Sequence, residues 1–326
     1  MESANAQPMQ HELEKLGNLA NALRHEVRKI IVGQDQTIDL LLTAILSNGH
    51  VLIEGVPGVA KTLTAKILSR CISSGFSRIQ FTPDLMPSDI LGTNVYNFKT
   101  SEFEFKRGPI FSNIILIDEI NRAPAKTQAA LFEVMEERQL TIDGTTYKMG
   151  NPFIVFATQN PIEHEGTYRL PEAQLDRFLY KVEVHYPDVS DEVKILTEFH
   201  ERGGLNDLSV INPVMDGNEL NAYQQMVRGV HIEPNLIEFI AKLTARTRDN
   251  ADLYVGASTR ATIALLTAAK AVAAIRGRYF VTPDDIVFVA KPVFRHRIIL
   301  TPEKEMEGIG TNEVIDSIIK SVEVPR

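Results

Sequence analysis

Cysteine is nearly missing from this 326-residue chain. Cys71 stands alone, so no intrachain disulfide can form and a cysteine-rich zinc site is excluded. A basic excess is also missing. The formal net charge is -8, the wrong sign for a general nucleic-acid binder, which argues against nucleic acid as a partner. Long apolar runs are missing as well. The Ala-rich stretch from Ala261 to Ile275 comes closest, but Lys270 interrupts it and Arg260 and Arg276 flank it, so no membrane-spanning segment is expected. Residues 1–10 are polar and lack a charged segment followed by an apolar one, so no signal peptide is expected. These absences leave a reducing, cytoplasmic setting as the default. Internal repeats and low-complexity tracts are absent too.

What is present supports a sizeable core. Apolar residues make up 44% of the chain and charged residues 23%, within the range of globular proteins, and the length suits two domains. The first part opens with an amphipathic helix from about His11 to Ile31, carried by Leu16, Leu19, Leu23, Val27 and Ile30, with Gly33 ending it. A second helix is expected from about Thr37 to Ser47.

Short apolar runs then alternate with helical segments. Val51-Leu52-Ile53, Ile114-Ile115-Leu116-Ile117 and Phe153 to Ala157 read as parallel strands buried on both faces, and Val182-Glu183-Val184 as a weaker fourth. Helices are expected over 62–69 and 126–136. Beyond Asp188 the pattern is helical: 191–201, 219–227, 234–248, 259–275, 283–289 and 311–321. The division is therefore an α/β part with its N-terminal helix over residues 1–188 and a helical part over 189–326.

The strand ending at Glu54 runs into Gly55-Val56-Pro57-Gly58-Val59-Ala60-Lys61-Thr62, with Leu63 continuing into a helix. Strand, glycine loop and helix are what a phosphate cradle requires. Glycines let the backbone N–H groups point inward at anionic oxygens, and the helix start adds the positive end of its dipole. Lys61 would neutralise β- and γ-phosphate charge, and the Thr62 hydroxyl would ligate Mg²⁺. Ala60 stands where glycine is usual. Being small and helix-compatible, it is expected to leave the loop intact.

Asp118-Glu119 closes a buried strand, a costly place for carboxylates without a cation or donors. Asp118 would orient Mg²⁺ and Glu119 would accept a proton from the attacking water. The plainer reading is a capping acid followed by a solvated glutamate. Asn160, after the third strand, would position that water if the strand lies beside the acidic one. Otherwise it is a turn residue before Pro161. Arg177 ends a short helix, where it either satisfies the helix dipole or reaches the nucleotide of a neighbouring subunit. Arg260 lies in the first turn of a helix capped by Ser258. A cation there opposes the dipole by about 0.3–1 kcal/mol, so a phosphate contact is favoured over a carboxylate partner.

Gly55–Thr62, the run from Asp118 to Pro124, Ala157-Thr158-Gln159-Asn160-Pro161, Leu170–Phe178 and Gly256–Arg260, in that order, resemble the MoxR family of AAA+ ATPases. The likeness spans residues 31–297, including Arg295-His296-Arg297. It implies an AAA+ P-loop core with a parallel sheet, an all-helical lid, ATP/ADP and Mg²⁺ as ligands, and a hexameric ring. It implies the roles above for Lys61, Thr62, Asp118, Glu119, Asn160, Arg177 and Arg260, and places Ile31, Val32 and Gly33 beside the adenine. Chaperone-like action with partners bearing von Willebrand A domains is implied too. Arg169 stands where proline is expected and is a second candidate for the arginine acting in trans.

An Asp143-Gly144 hairpin and an insert over 84–106 match the same clade. Phe98, Phe103 and Phe105 of the insert either face a pore or client or pack against the core. Three other functions compete: a magnesium-chelatase-like motor subunit, a nucleotide-sensing scaffold without turnover, and a DNA-remodelling ATPase. Intact Glu119 and Asn160 argue against the second, and the acidic balance against the third.

Overall fold

The structure is a computed structural model that describes residues 2–161, 167–203 and 207–325. A five-stranded parallel sheet forms the core of the first part, in the order Phe178–Val184, His50–Gly55, Ile154–Gln159, Ile114–Asp118, Phe76–Gln80. Its three central strands are the continuous apolar runs. Their Val51, Ile53, Ile115, Ile117, Val155 and Ala157 side chains are buried, because helices cover both faces. One face packs on the N-terminal helices and the helix after the glycine loop. The other packs on Leu131, Phe132 and Met135 of the helix Ala125–Glu137.

The edge strand Phe76–Gln80 has no counterpart in the sequence reading. Only Ile79 of its residues is buried, so no apolar run marks it. The insert after it forms an antiparallel hairpin, Gly92–Asn97 with Glu102–Arg107. Phe105 packs against Tyr147 and meets Phe111 edge-on, while Phe98 and Phe103 remain 88% and 71% exposed. The Asp143-Gly144 turn joins Gln139–Ile142 to Thr145–Lys148 as expected.

The N-terminal helix runs over Glu2–Arg28, starting earlier than its apolar stripe does and ending three residues sooner than expected. The early end leaves Ile31, Val32 and Gly33 outside the helix, at the rim of a cavity. The later part is helical, with Thr259–Ile275 at its centre and Ala268, Val272 and Ile275 buried. The helix expected to stop at Val289 continues to Phe294 through Pro292. Burial of Ala290, Val293 and Phe294 outweighs the hydrogen bond that proline removes. No described helix is long and apolar enough to cross a membrane.

Candidate nucleotide site

The glycine loop leaves the sheet at the carboxyl end of His50–Gly55, next to the acidic strand's neighbour, where open α/β sheets bind ligands. Gly55 passes so close to the last strand that a Cβ would lie 2.5 Å from the Val184 carbonyl oxygen. Gly58 has φ 88°, and a Cβ there would meet nothing within 4 Å, so its side is open. Ala60 departs from expectation. It lies at φ 58°, before the helix Lys61–Cys71 begins, so helix compatibility is not what admits it. The left-handed conformation costs a non-glycine residue about 1–2 kcal/mol, which is why glycine is the usual choice.

Lys61 folds over the loop. Its ammonium donates to the carbonyls of Gly55 and of Val56, the latter at 3.2 Å. Thr62 Oγ1 donates to Asp118 Oδ1 at 2.7 Å, joining the loop to the acidic strand. Asp118 is only 4% exposed. Its Oδ1 also accepts from Thr158 Oγ1 at 3.2 Å, and its Oδ2 from Arg78 Nε at 2.7 Å. Glu119 has φ 57°, a left-handed kink at the strand end that turns its carboxylate aside. There Oε2 accepts from Gln80 Nε2 at 2.7 Å and lies 3.2 Å from Arg122 Nε.

These groups open into a cavity of about 950 Å³. Pro57, Gly58, Val59, Ala60, Lys61, Thr62 and Leu63 line it, while Gly55 and Val56, expected at the site too, do not. Asp118, Glu119, Thr158 and Asn160 line it as well. The condition set for Asn160 is met, since Ile154–Gln159 pairs with Ile114–Asp118. Ile31, Val32 and Gly33 line the cavity too, as do Ile195 and Phe199 of the helix Val189–Glu201.

Among the described residues no three His, Cys, Asp or Glu side chains come together to hold a metal. A divalent ion here would draw on one hydroxyl and one carboxylate, with phosphate oxygens and water completing its shell. That donor set fits Mg²⁺.

Arg177 and Arg260 do not line this cavity. Both converge on Glu136 at the end of Ala125–Glu137. Arg177 Nε lies 2.7 Å from Oε2 as a close charge pair without hydrogen-bond alignment, and Arg260 Nη2 lies 2.5 Å from Oε1. Arg260 therefore has the carboxylate partner weighed above, within its own chain. Ser258 makes no side-chain capping bond and instead donates to Asp176 Oδ2 at 3.2 Å. Arg169 is 91% exposed, 3.6 Å from Glu172. Arg297 is buried against Asp176 at 2.6 Å and also donates to the Phe178 carbonyl, pinning the lid to the last strand.

Arg78, Gln80, Glu136 and Thr158 were not singled out in sequence. Thr158 lay inside a recognised segment. The other three become visible only when the edge strand and the lid are in place.

Residues 50–180 match the family model for "ATPase family associated with various cellular activities (AAA)", and residues 245–318 match the AAA lid domain. The uncharacterised protein YeaC of Bacillus subtilis is 43% identical over 307 residues, 94% of this chain and 95% of that protein. Chaperone MoxR1 of Mycobacterium tuberculosis is 43% identical over 310 residues, covering 92% of this chain and 81% of that one. A crystal structure from Cytophaga hutchinsonii superposes with a TM-score of 0.89 at 42% identity, covering 100% of both chains. With this likeness along nearly its whole length, the chain belongs to the MoxR family of AAA+ ATPases.

Proposed function

We propose that the chain hydrolyses ATP with Mg²⁺ at the loop cavity and uses the cycle to remodel or assemble partner proteins. The observation that carries this is the 2.7 Å bond between Thr62 and Asp118, which places hydroxyl and carboxylate together at the start of a phosphate-cradling helix. Loop N–H groups and Lys61 receive the phosphates. Ile31, Val32 and Gly33 border the base. Thr62 and Asp118 would hold Mg²⁺, which when bound supplies charge neutralisation on the phosphoryl oxygens. Glu119 takes a proton from water as the water oxygen bonds to the γ-phosphorus and the bond to ADP breaks, and Asn160 orients that water. Glu119 acts only after Gln80 and Arg122 let it go, since both now hold its Oε2.

The site is completed in trans. Arg177 and Arg260 lie away from their own chain's cavity, which supports their serving a neighbour's nucleotide in a homo-oligomeric ring, read as a hexamer. Arg169, being exposed, is the other candidate for that role. A von Willebrand A domain protein is the proposed partner, and the cytoplasm the proposed location. The boundary near Asp188 separates core from lid, and the cavity lies across it, lined by Glu183 on one side and Asp191 and Phe199 on the other. Nucleotide-driven movement between the two would be passed on to the insert hairpin.

Steady-state hydrolysis against protein concentration tests the shared site. Specific activity is expected to rise with concentration and to fall by about 10³-fold or more in Arg177→Ala, the scale for a trans arginine. Activity independent of concentration and retained in Arg177→Ala would contradict it.

A further inference from the structure

The edge strand Phe76–Gln80 faces the acidic pair with two side chains. Gln80 stands opposite Asp118 in the parallel register and Arg78 opposite Leu116. Residues two apart share a face of a strand, so both side chains reach over the end of the acidic strand into the cavity. Each takes one acid: Gln80 holds Glu119, and Arg78 holds Asp118.

The Arg78 contact is chemically specific. Asp118 is buried, with 5% of its side chain exposed, while Arg78 is 55% exposed. Asp118 divides its oxygens: Oδ1 serves the hydroxyls of Thr62 and Thr158, and Oδ2 serves the guanidinium. A buried carboxylate that lacks a cation is costly, and here the cation is supplied by the chain itself. A divalent ion held through Asp118 asks for the same carboxylate charge that Arg78 neutralises. Because the guanidinium comes from an exposed edge, it can leave without uncovering any core.

We propose that Arg78 is a positioning residue that competes with the divalent cation for Asp118, acting as its placeholder until metal and nucleotide arrive. The inference rests on the nucleotide reading above. It makes metal loading and release of Arg78 two sides of one equilibrium, so whatever weakens the pair favours the metal. The strand carrying Arg78 leads directly to the insert, which gives metal loading a path to the hairpin at Gly92–Arg107.

The test is titration of Mn²⁺ into the full nucleotide-free chain, followed by electron paramagnetic resonance of free Mn²⁺. Arg78→Ala is expected to bind Mn²⁺ roughly two- to fivefold more tightly than wild type, the scale of one partly exposed ion pair. Arg78→Lys keeps the charge and is expected to stay near wild type. In an Asp118→Asn background the gain from Arg78→Ala is expected to vanish. Unchanged or weaker Mn²⁺ binding in Arg78→Ala would overturn the proposal, and so would a gain that persists without Asp118. ATP binding by the wild type with Mg²⁺, measured alongside, separates the two claims. If ATP does not bind, the nucleotide reading fails. If ATP binds and Mn²⁺ affinity ignores Arg78, only the placeholder role fails.

Discussion

His50 begins the strand that leads into the glycine loop, and it is fully committed as a neutral imidazole. Its Nδ1 accepts from the Val155 N–H at 3.0 Å, and its Nε2 faces the Met135 carbonyl at 3.2 Å. Burial, helped by the nearby Arg138 guanidinium, lowers its pKa from 6.5 to about 3. Burial likewise pushes His296 well below the usual value. A depressed folded value means that the unfolded chain binds the proton first. The stabilisation is complete above pH 6.5 and drains away as pH falls towards 3. Between pH 7.5 and 5.5 each such histidine removes about 1 kcal/mol of stability. Urea unfolding at the two pH values should therefore show a smaller loss for His50→Gln than for wild type, by about that amount; equal losses would contradict the assignment. At this scale the sequence was most informative about Lys61, Thr62, Asp118 and Glu119, which fixed spacing marks and the fold brings to one cavity. Arg78 and Glu136 were invisible because nothing local marks them. Arg78 matters only because its strand pairs with the acidic one. Glu136 matters only because Arg177 and Arg260, 41 and 124 residues away, fold onto it.

The N-terminal helix is held to the rest of the molecule by a close crossing. Gly17 faces Gly277, just past the central helix, and a Cβ on Gly17 would lie 3.2 Å from both the Cα and the nitrogen of Gly277. Backbone atoms give way far less than a side-chain tip. Gly17→Ala is expected to lower stability by about 1–2 kcal/mol, against the gain of up to about 1 kcal/mol that alanine brings to an unconstrained helix site. Thermal or urea unfolding distinguishes the two, and a more stable variant would show that the helices can move apart. Elements with strong apolar patterns were legible: Pro234–Arg248, Thr259–Ile275 and Thr311–Ser321 run as the sequence predicts. The edge strand was not, since one buried residue gives no pattern. The continuation through Pro292 was hidden because tertiary burial overrode a local stop signal.

At the scale of the whole molecule, the sheet and the helical part both line the 950 Å³ cavity, and the arginines expected to act on nucleotide lie outside it, fastened to Glu136. That separation gives the fold its need for a second copy under the shared-site proposal. The insert hairpin leaves Phe98 and Phe103 exposed, while Phe105 packs against Tyr147, so the packing reading holds for Phe105 alone of the three. Under the proposed function the cavity hydrolyses ATP with Glu119 as base. The most direct test is ATP turnover with and without Mg²⁺ beside equilibrium ATP binding, for wild type and Glu119→Gln. Mg²⁺-dependent turnover is expected to fall about 10²-fold or more in the variant, the scale of a lost general base, while ATP affinity is kept. Turnover at the wild-type rate in Glu119→Gln, or a wild-type chain that does not bind ATP, would contradict it.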